Sequence, residues 1–130
     1  MAMLQDTLAD VLSAIKNSEK DGKQSCVAKA SKLAKAVLEI MQSHGYIGAF
    51  EFADDGRGGR FSIELKGKII DCNAIKPRSS VEADGFERWE KRYLPARDFG
   101  ILVVSTPKGV MDHKQAKEAR LGGKLVAYVY

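Results

Sequence analysis

The chain has 130 residues, 45% of them hydrophobic and 29% charged, with 21 Lys and Arg against 17 Asp and Glu and a formal net charge of +4. That composition can bury a core and excludes a disordered chain, while the basic balance suits a polyanionic partner without identifying one. The length allows two small halves of unequal charge: residues 1–65 carry 8 basic and 9 acidic side chains, residues 66–130 carry 13 and 8, so any nucleic-acid surface should draw most of its attraction from the second half.

Leu4, Leu8, Val11, Leu12 and Ile15 recur at helical spacing, Asp6 is placed to cap, and together they predict a helix near 7–18. A short strand is expected over 24–29, with Cys26 and Val27 at its centre. Ser31 is placed to cap a second helix over 32–43, whose buried face is Leu33, Val37, Ile40 and Met41, and Gly45 ends it. Residues 46–53 and 60–66 read as strands. In the latter, Phe61, Ile63 and Leu65 alternate with polar neighbours. Asp54-Asp55-Gly56-Arg57-Gly58-Gly59 between them is hairpin chemistry. A further hairpin strand within 67–75 leads out of this half.

Lys76-Pro77-Arg78-Ser79-Ser80 reads as a break, giving expected domains of 1–75 and 76–130. Beyond it come a short helix over 86–94, stopped by Pro95, and an apolar strand over 99–104 ending at Ser105-Thr106-Pro107-Lys108-Gly109. A helix over 113–120 is capped by Asp112 with Gln115 and ended by Gly122-Gly123. The final strand covers 124–130. The expected fold class is α+β: two small α/β halves, the N-terminal one α-β-α-β-β and the C-terminal one mostly β with short helices.

Enzymatic chemistry finds little support in the residues. Asp54 and Asp55 sit in a Gly-rich turn with no base beside them, and Gly56-Arg57-Gly58-Gly59 lacks the strand-loop-helix setting of a phosphate loop. His44 and His113 stand alone, and His113 reads as a solvated residue in the first turn of a helix. Neither Cys26 nor Cys72 has a partner at metal-ligand spacing. Both cysteines read as small buried hydrophobes. Residues 1–6 lack the pattern of a signal peptide, and no apolar stretch approaches the roughly 20 residues that span a bilayer. No cofactor, metal, small-molecule substrate or membrane is therefore expected, and a cytoplasmic setting is the simplest.

RNA chemistry is better served. Ser105 and Thr106 can bond base edges and ribose hydroxyls, Gly109 allows close backbone approach, and Lys108 can meet phosphate. By residue type alone the same segment is also an ordinary turn. If it is a binding edge, both hydroxyls should be removable with little effect on unfolding. Lys76, Arg78, Arg88, Lys91, Arg92, Arg97, Lys114, Lys117 and Arg120 are interleaved with Trp89, Tyr93 and Phe99, which at helical spacing also suit a core.

Five separated segments together resemble the small-subunit (30S) ribosomal protein S8 family, in order and over essentially the whole chain. They are the opening Asp6-Thr7-Leu8-Ala9-Asp10-Val11-Leu12-Ser13-Ala14-Ile15-Lys16-Asn17, His44-Gly45-Tyr46-Ile47, Leu94-Pro95-Ala96-Arg97-Asp98-Phe99-Gly100, Ser105-Thr106-Pro107-Lys108-Gly109-Val110-Met111 and the ending from Gly122 to Tyr130. Leu94-Pro95-Ala96-Arg97 and Tyr128-Val129-Tyr130 are similar to the archaeal and eukaryotic branch, more so to the archaeal. The resemblance implies a non-enzymatic primary binder of the 16S rRNA central domain. It would help assemble the 30S platform beside neighbouring small-subunit proteins, and a role as translational repressor of its own mRNA is the alternative. It assigns RNA binding to Ser105, Thr106, Lys108 and Gly109 first, and to Lys16 and Asn17 second. Arg78 and Arg97 follow from charge. Pro107 departs from the Ser common in the family, removing a hydroxyl and a backbone N–H, so it is left out of the expected site.

Overall fold

Helical spacing of Leu8, Val11, Leu12 and Ile15 does produce a first helix, α1 (Thr7–Lys20), and all four side chains are buried. The computed structural model describes residues 7–54, 56, 58–75, 78–96 and 99–130, so Leu4 and the expected Asp6 cap lie outside the described residues. β1 (Ser25–Lys29) follows, then α2 (Lys32–Ser43), where the Ser31 hydroxyl accepts from the Ala34 N–H at 3.1 Å as expected of an N-cap. Gly45, at φ 79, provides the left-handed exit after α2.

β2 (Ile47–Ala53) and β3 (Arg60–Leu65) form a hairpin, and β1 pairs on the other side of β3, so the first sheet is antiparallel in the order β1-β3-β2. α1 packs on β1 and α2, and α2 packs on β2. Cys26 and Ala28 alternate inward from β1, and Phe61, Ile63 and Leu65 from β3. The Glu19 carboxylate accepts from the backbone N–H groups of Gly67 and Ile69, at 3.2 and 3.0 Å, tying the chain beyond β3 to the end of α1.

The chain divides into a unit of Met1–Ile70 and one of Asp71–Tyr130. The strand expected within 67–75 exists as β4 (Cys72–Ala74), but it pairs with β8 (Gly123–Val129) rather than joining the first hairpin. That pairing draws the division to Ile70/Asp71, ahead of the 75/76 boundary read from the Pro77 segment.

The second unit continues through β5 (Ser80–Val81), α3 (Phe86–Tyr93), β6 (Ile101–Thr106), β7 (Gly109–Asp112) and α4 (His113–Ala119) to β8. Its antiparallel sheet has the order β4-β8-β6-β7, with β5 also on β8. Ile75, Val81, Phe86, Leu94, Leu102, Val104, Ala116 and Leu125 form its core, with Trp89, Tyr93, Met111, Tyr128 and Tyr130 packed around it. The α+β class, the α-β-α-β-β first half and the mostly β second half are therefore as expected.

Two local expectations change. α4 is capped at Asp112, whose carboxylate accepts from the Gln115 N–H at 2.8 Å, but it ends at Arg120 in the left-handed region (φ 57, ψ 43) and not at the glycines. Gly122 and Gly123 instead let backbones meet: a Cβ would fall 2.6 Å from the Val81 carbonyl oxygen at Gly122, and 2.1 Å from that of Ser105 at Gly123. His113 is buried rather than solvated, at 1% exposure. Its Nδ1 accepts from the Leu102 N–H at 3.0 Å, and its Nε2 lies 3.0 Å from Glu90, which also meets Lys117. Sequence could not show this, because the partners come from α3 and β6.

Candidate RNA interface

Antiparallel pairing of β6 with β7 runs from Val103↔Asp112 to Thr106↔Gly109, leaving Pro107-Lys108 as the reversal. Two-residue hairpins ordinarily need positive φ at a central residue. Pro107 forbids this at the first position, since its ring holds φ near −65°. The positive φ appears one residue beyond the turn instead, at Gly109 (φ 120).

The Thr106 side chain completes the reversal. Its hydroxyl donates to the Gly109 carbonyl at 2.8 Å and accepts from the Lys108 N–H at 3.2 Å. Thr106 is 8% exposed, so the expectation that both hydroxyls could be removed with little effect on unfolding does not hold for this residue. Neighbouring strand residues point to opposite faces. Thr106 turns inward to bracket the turn, while Ser105 is exposed on the other face and Lys108 is exposed at the tip.

Cross-strand register then brings distant residues beside Ser105. It sits opposite Val110 of β7 on one side and Lys124 of β8 on the other, and Lys124 in turn sits opposite Ser80 of β5. Ser80, Lys124 and Ser105 are all exposed, and directly opposed residues share a face. The result is a hydroxyl-ammonium-hydroxyl row running across three strands to the hairpin. Gly123 makes the row possible, because any side chain there would push β8 off β6 at Ser105.

Arg78 is exposed two residues ahead of Ser80, outside β5. Lys124 and Ser80 were missed by sequence reasoning; their place beside Ser105 depends on register, which no local pattern reveals. Arg97 lies outside the described residues. Lys16 and Asn17 occupy the C-terminal part of α1, with Asn17 exposed, and belong to the first unit.

The arrangement offers positive charge and hydroxyl groups on a firm sheet. A shape-reading contact to ribose and phosphate oxygens needs those groups. Cys26 and Cys72 are both buried, and burial pushes the Cys26 thiol above its usual range, which makes it a poor nucleophile. No helix among the described residues is long and apolar enough to cross a membrane.

A family model described as "Ribosomal protein S8" matches residues 6–130. Two curated relatives, from strains R1 and NRC-1 of Halobacterium salinarum, are each named "Small ribosomal subunit protein uS8". Each is 55% identical over 126 residues, covering 96% of this chain and 97% of its own.

Proposed function

We propose, from the premise that this chain belongs to the ribosomal protein S8 family and is of its archaeal type, that it is a structural protein of the small ribosomal subunit that binds the central domain of 16S-type rRNA. It acts by binding and not by catalysis, in the cytoplasm, within the ribosome and beside neighbouring small-subunit proteins. The observation that carries the reading is the exposed row Ser80-Lys124-Ser105 ending at a turn whose tip, Lys108, is held by the Thr106 hydroxyl.

In this reading Ser105 contacts a base edge or ribose, Lys108 and Lys124 meet phosphates, and Gly109 lets the RNA approach the backbone. Thr106 positions the others. Arg78 adds charge just ahead of β5, Lys16 and Asn17 give the first unit a lesser contact, and Arg97 is retained from charge alone. Because Pro107 has neither hydroxyl nor N–H, the tip of the turn has two donors fewer to offer.

The test is binding of the purified protein to an isolated central-domain rRNA segment, against unrelated duplex RNA at physiological ionic strength. A clear preference is expected. Ser105→Ala should weaken the specific complex by about 1 kcal/mol with the unfolding midpoint unchanged. Equal binding to both RNAs would overturn the reading. A messenger segment folded to the same shape should compete for the protein.

A further inference from the structure

Helix α3 sorts its charges. Its carboxylates are turned to other partners: Glu87 lies 3.5 Å from Lys91, and Glu90 meets His113 and Lys117. Its two arginines, Arg88 and Arg92, both lie over one indole, with guanidinium carbons 5.3 and 5.5 Å from the Trp89 ring centroid, and Arg92 is also 5.5 Å from Tyr93. Both arginines are exposed, while Trp89 is partly buried against the core of the second unit.

The ring beneath them is one end of a stack. Trp89 and Tyr93 lie 6.2 Å apart at 13°, Tyr93 and Tyr128 5.5 Å apart at 23°, and Tyr128 and Tyr130 6.0 Å apart at 18°. The last two hydroxyls meet the Asp71 carboxylate at 3.1 and 3.3 Å. The guanidiniums are thus mounted on aromatics fixed to the sheet. Like charges four residues apart on a helix repel one another, and an anion seated between them removes that repulsion. Stacked arginines keep their planar donors for two-pronged contact with a phosphate.

We propose that Arg88 and Arg92, carried by Trp89, form a clamp for the phosphodiester backbone of RNA, separate from the Pro107-Lys108 turn. The separation follows from β8. Its Tyr128, under the stack, is opposite Leu102, while its Lys124 is opposite Ser105; Leu102 and Ser105 are three residues apart on β6, so the two places lie about 10 Å apart along that strand, at ~3.3 Å per residue, and on opposite faces of the sheet. The clamp therefore grips either a different stretch of the same bound RNA or an adjoining segment. It rests on the rRNA reading above and extends it to a second surface.

The experiment measures affinity for full-length small-subunit rRNA from 50 to 200 mM KCl, for wild type, Arg88→Gln/Arg92→Gln and Arg88→Lys/Arg92→Lys. The Gln double variant should keep its unfolding midpoint and its preference for rRNA over unrelated duplex. Its slope of log affinity against log salt should fall by about 1.4–1.8, at 0.7–0.9 per phosphate. Its binding deficit should shrink roughly tenfold across that salt range. The Lys variant should recover the slope but bind more weakly, because an ammonium neither stacks on the ring nor forks onto phosphate.

An unchanged slope in the Gln variant, with wild-type preference for rRNA intact, overturns the clamp alone. Absence of that preference in wild type defeats the reading beneath it. Full affinity in the Lys variant overturns the ring-held fork. Normal RNA binding by the Gln variant, with loss of an acidic neighbouring protein from reconstituted subunits, assigns the surface to protein and overturns the proposal.

Discussion

Among the described residues, the hairpins β2–β3 and β6–β7 reverse direction by different means. Between β2 and β3 the reversal spans residues 54–59 and uses glycines at φ 75, 95 and 90, namely Gly56, Gly58 and Gly59. Between β6 and β7 it takes two residues, and a buried hydroxyl spans it. Glycines supply positive φ but lose the most conformational freedom on ordering. The Thr106 bracket instead holds a Lys at a fixed place on the sheet.

The contrast breaks most sharply at glycine itself. Gly123→Ala should destabilise the second unit by about 3 kcal/mol, because its Cβ would strike the Ser105 carbonyl, a backbone atom with little room to yield. Gly58→Ala meets nothing within 4 Å and should lose only about 1 kcal/mol, from the positive φ. Urea unfolding of both variants checks the order, and equal effects would show that β8 can shift away from β6.

Thr106→Val keeps the shape and removes both hydrogen bonds. It should cost about 1–2 kcal/mol of stability and lower RNA affinity as well, whereas Ser105→Ala lowers affinity alone. Loss of affinity without loss of stability in Thr106→Val would mean that its hydroxyl meets RNA directly.

Acid should separate the two halves by a smaller amount. Burial pushes the His113 imidazole below its ordinary range of about 6.5, and protonating Nδ1 would sacrifice the bond from the Leu102 N–H. The unfolded chain therefore binds this proton more readily. His113 contributes its full stability above about pH 6.5 and loses it as the pH falls towards the lower folded value. Between pH 7.5 and 5.5 the second unit should weaken, and His113→Gln should flatten that dependence. A flat wild-type profile would contradict the neutral buried state. Among the described residues the first unit has no buried histidine, since His44 is exposed.

Much of the first unit was legible because its signals are local. Periodicity gave α1, α2 and β3, and Ser31 marked a helix start that the structure confirms. In the second unit decisive partners are distant in sequence. β7 went unseen because Thr106-Pro107-Lys108-Gly109 reads as a break, although a strand resumes directly after it. β4 was seen but not its neighbour, which is 55 residues away for Asn73↔Tyr128. The family resemblance supplied Ser105, Thr106, Lys108 and Gly109 as candidates. That Ser105 is exposed while Thr106 is buried needed the structure, as did the place of Lys124 beside Ser105.

β8 has neighbours on both edges, β6 along one and β4 and β5 along the other, whereas β7 lies at the margin. Its amide hydrogens around Leu125 and Val126 should therefore exchange with deuterated solvent only when the whole second unit opens, while those of Val110 and Met111 escape through smaller fluctuations. A bound RNA could then quiet the margin of the sheet without altering its centre, and slowing confined to β7 would mark where the ligand rests.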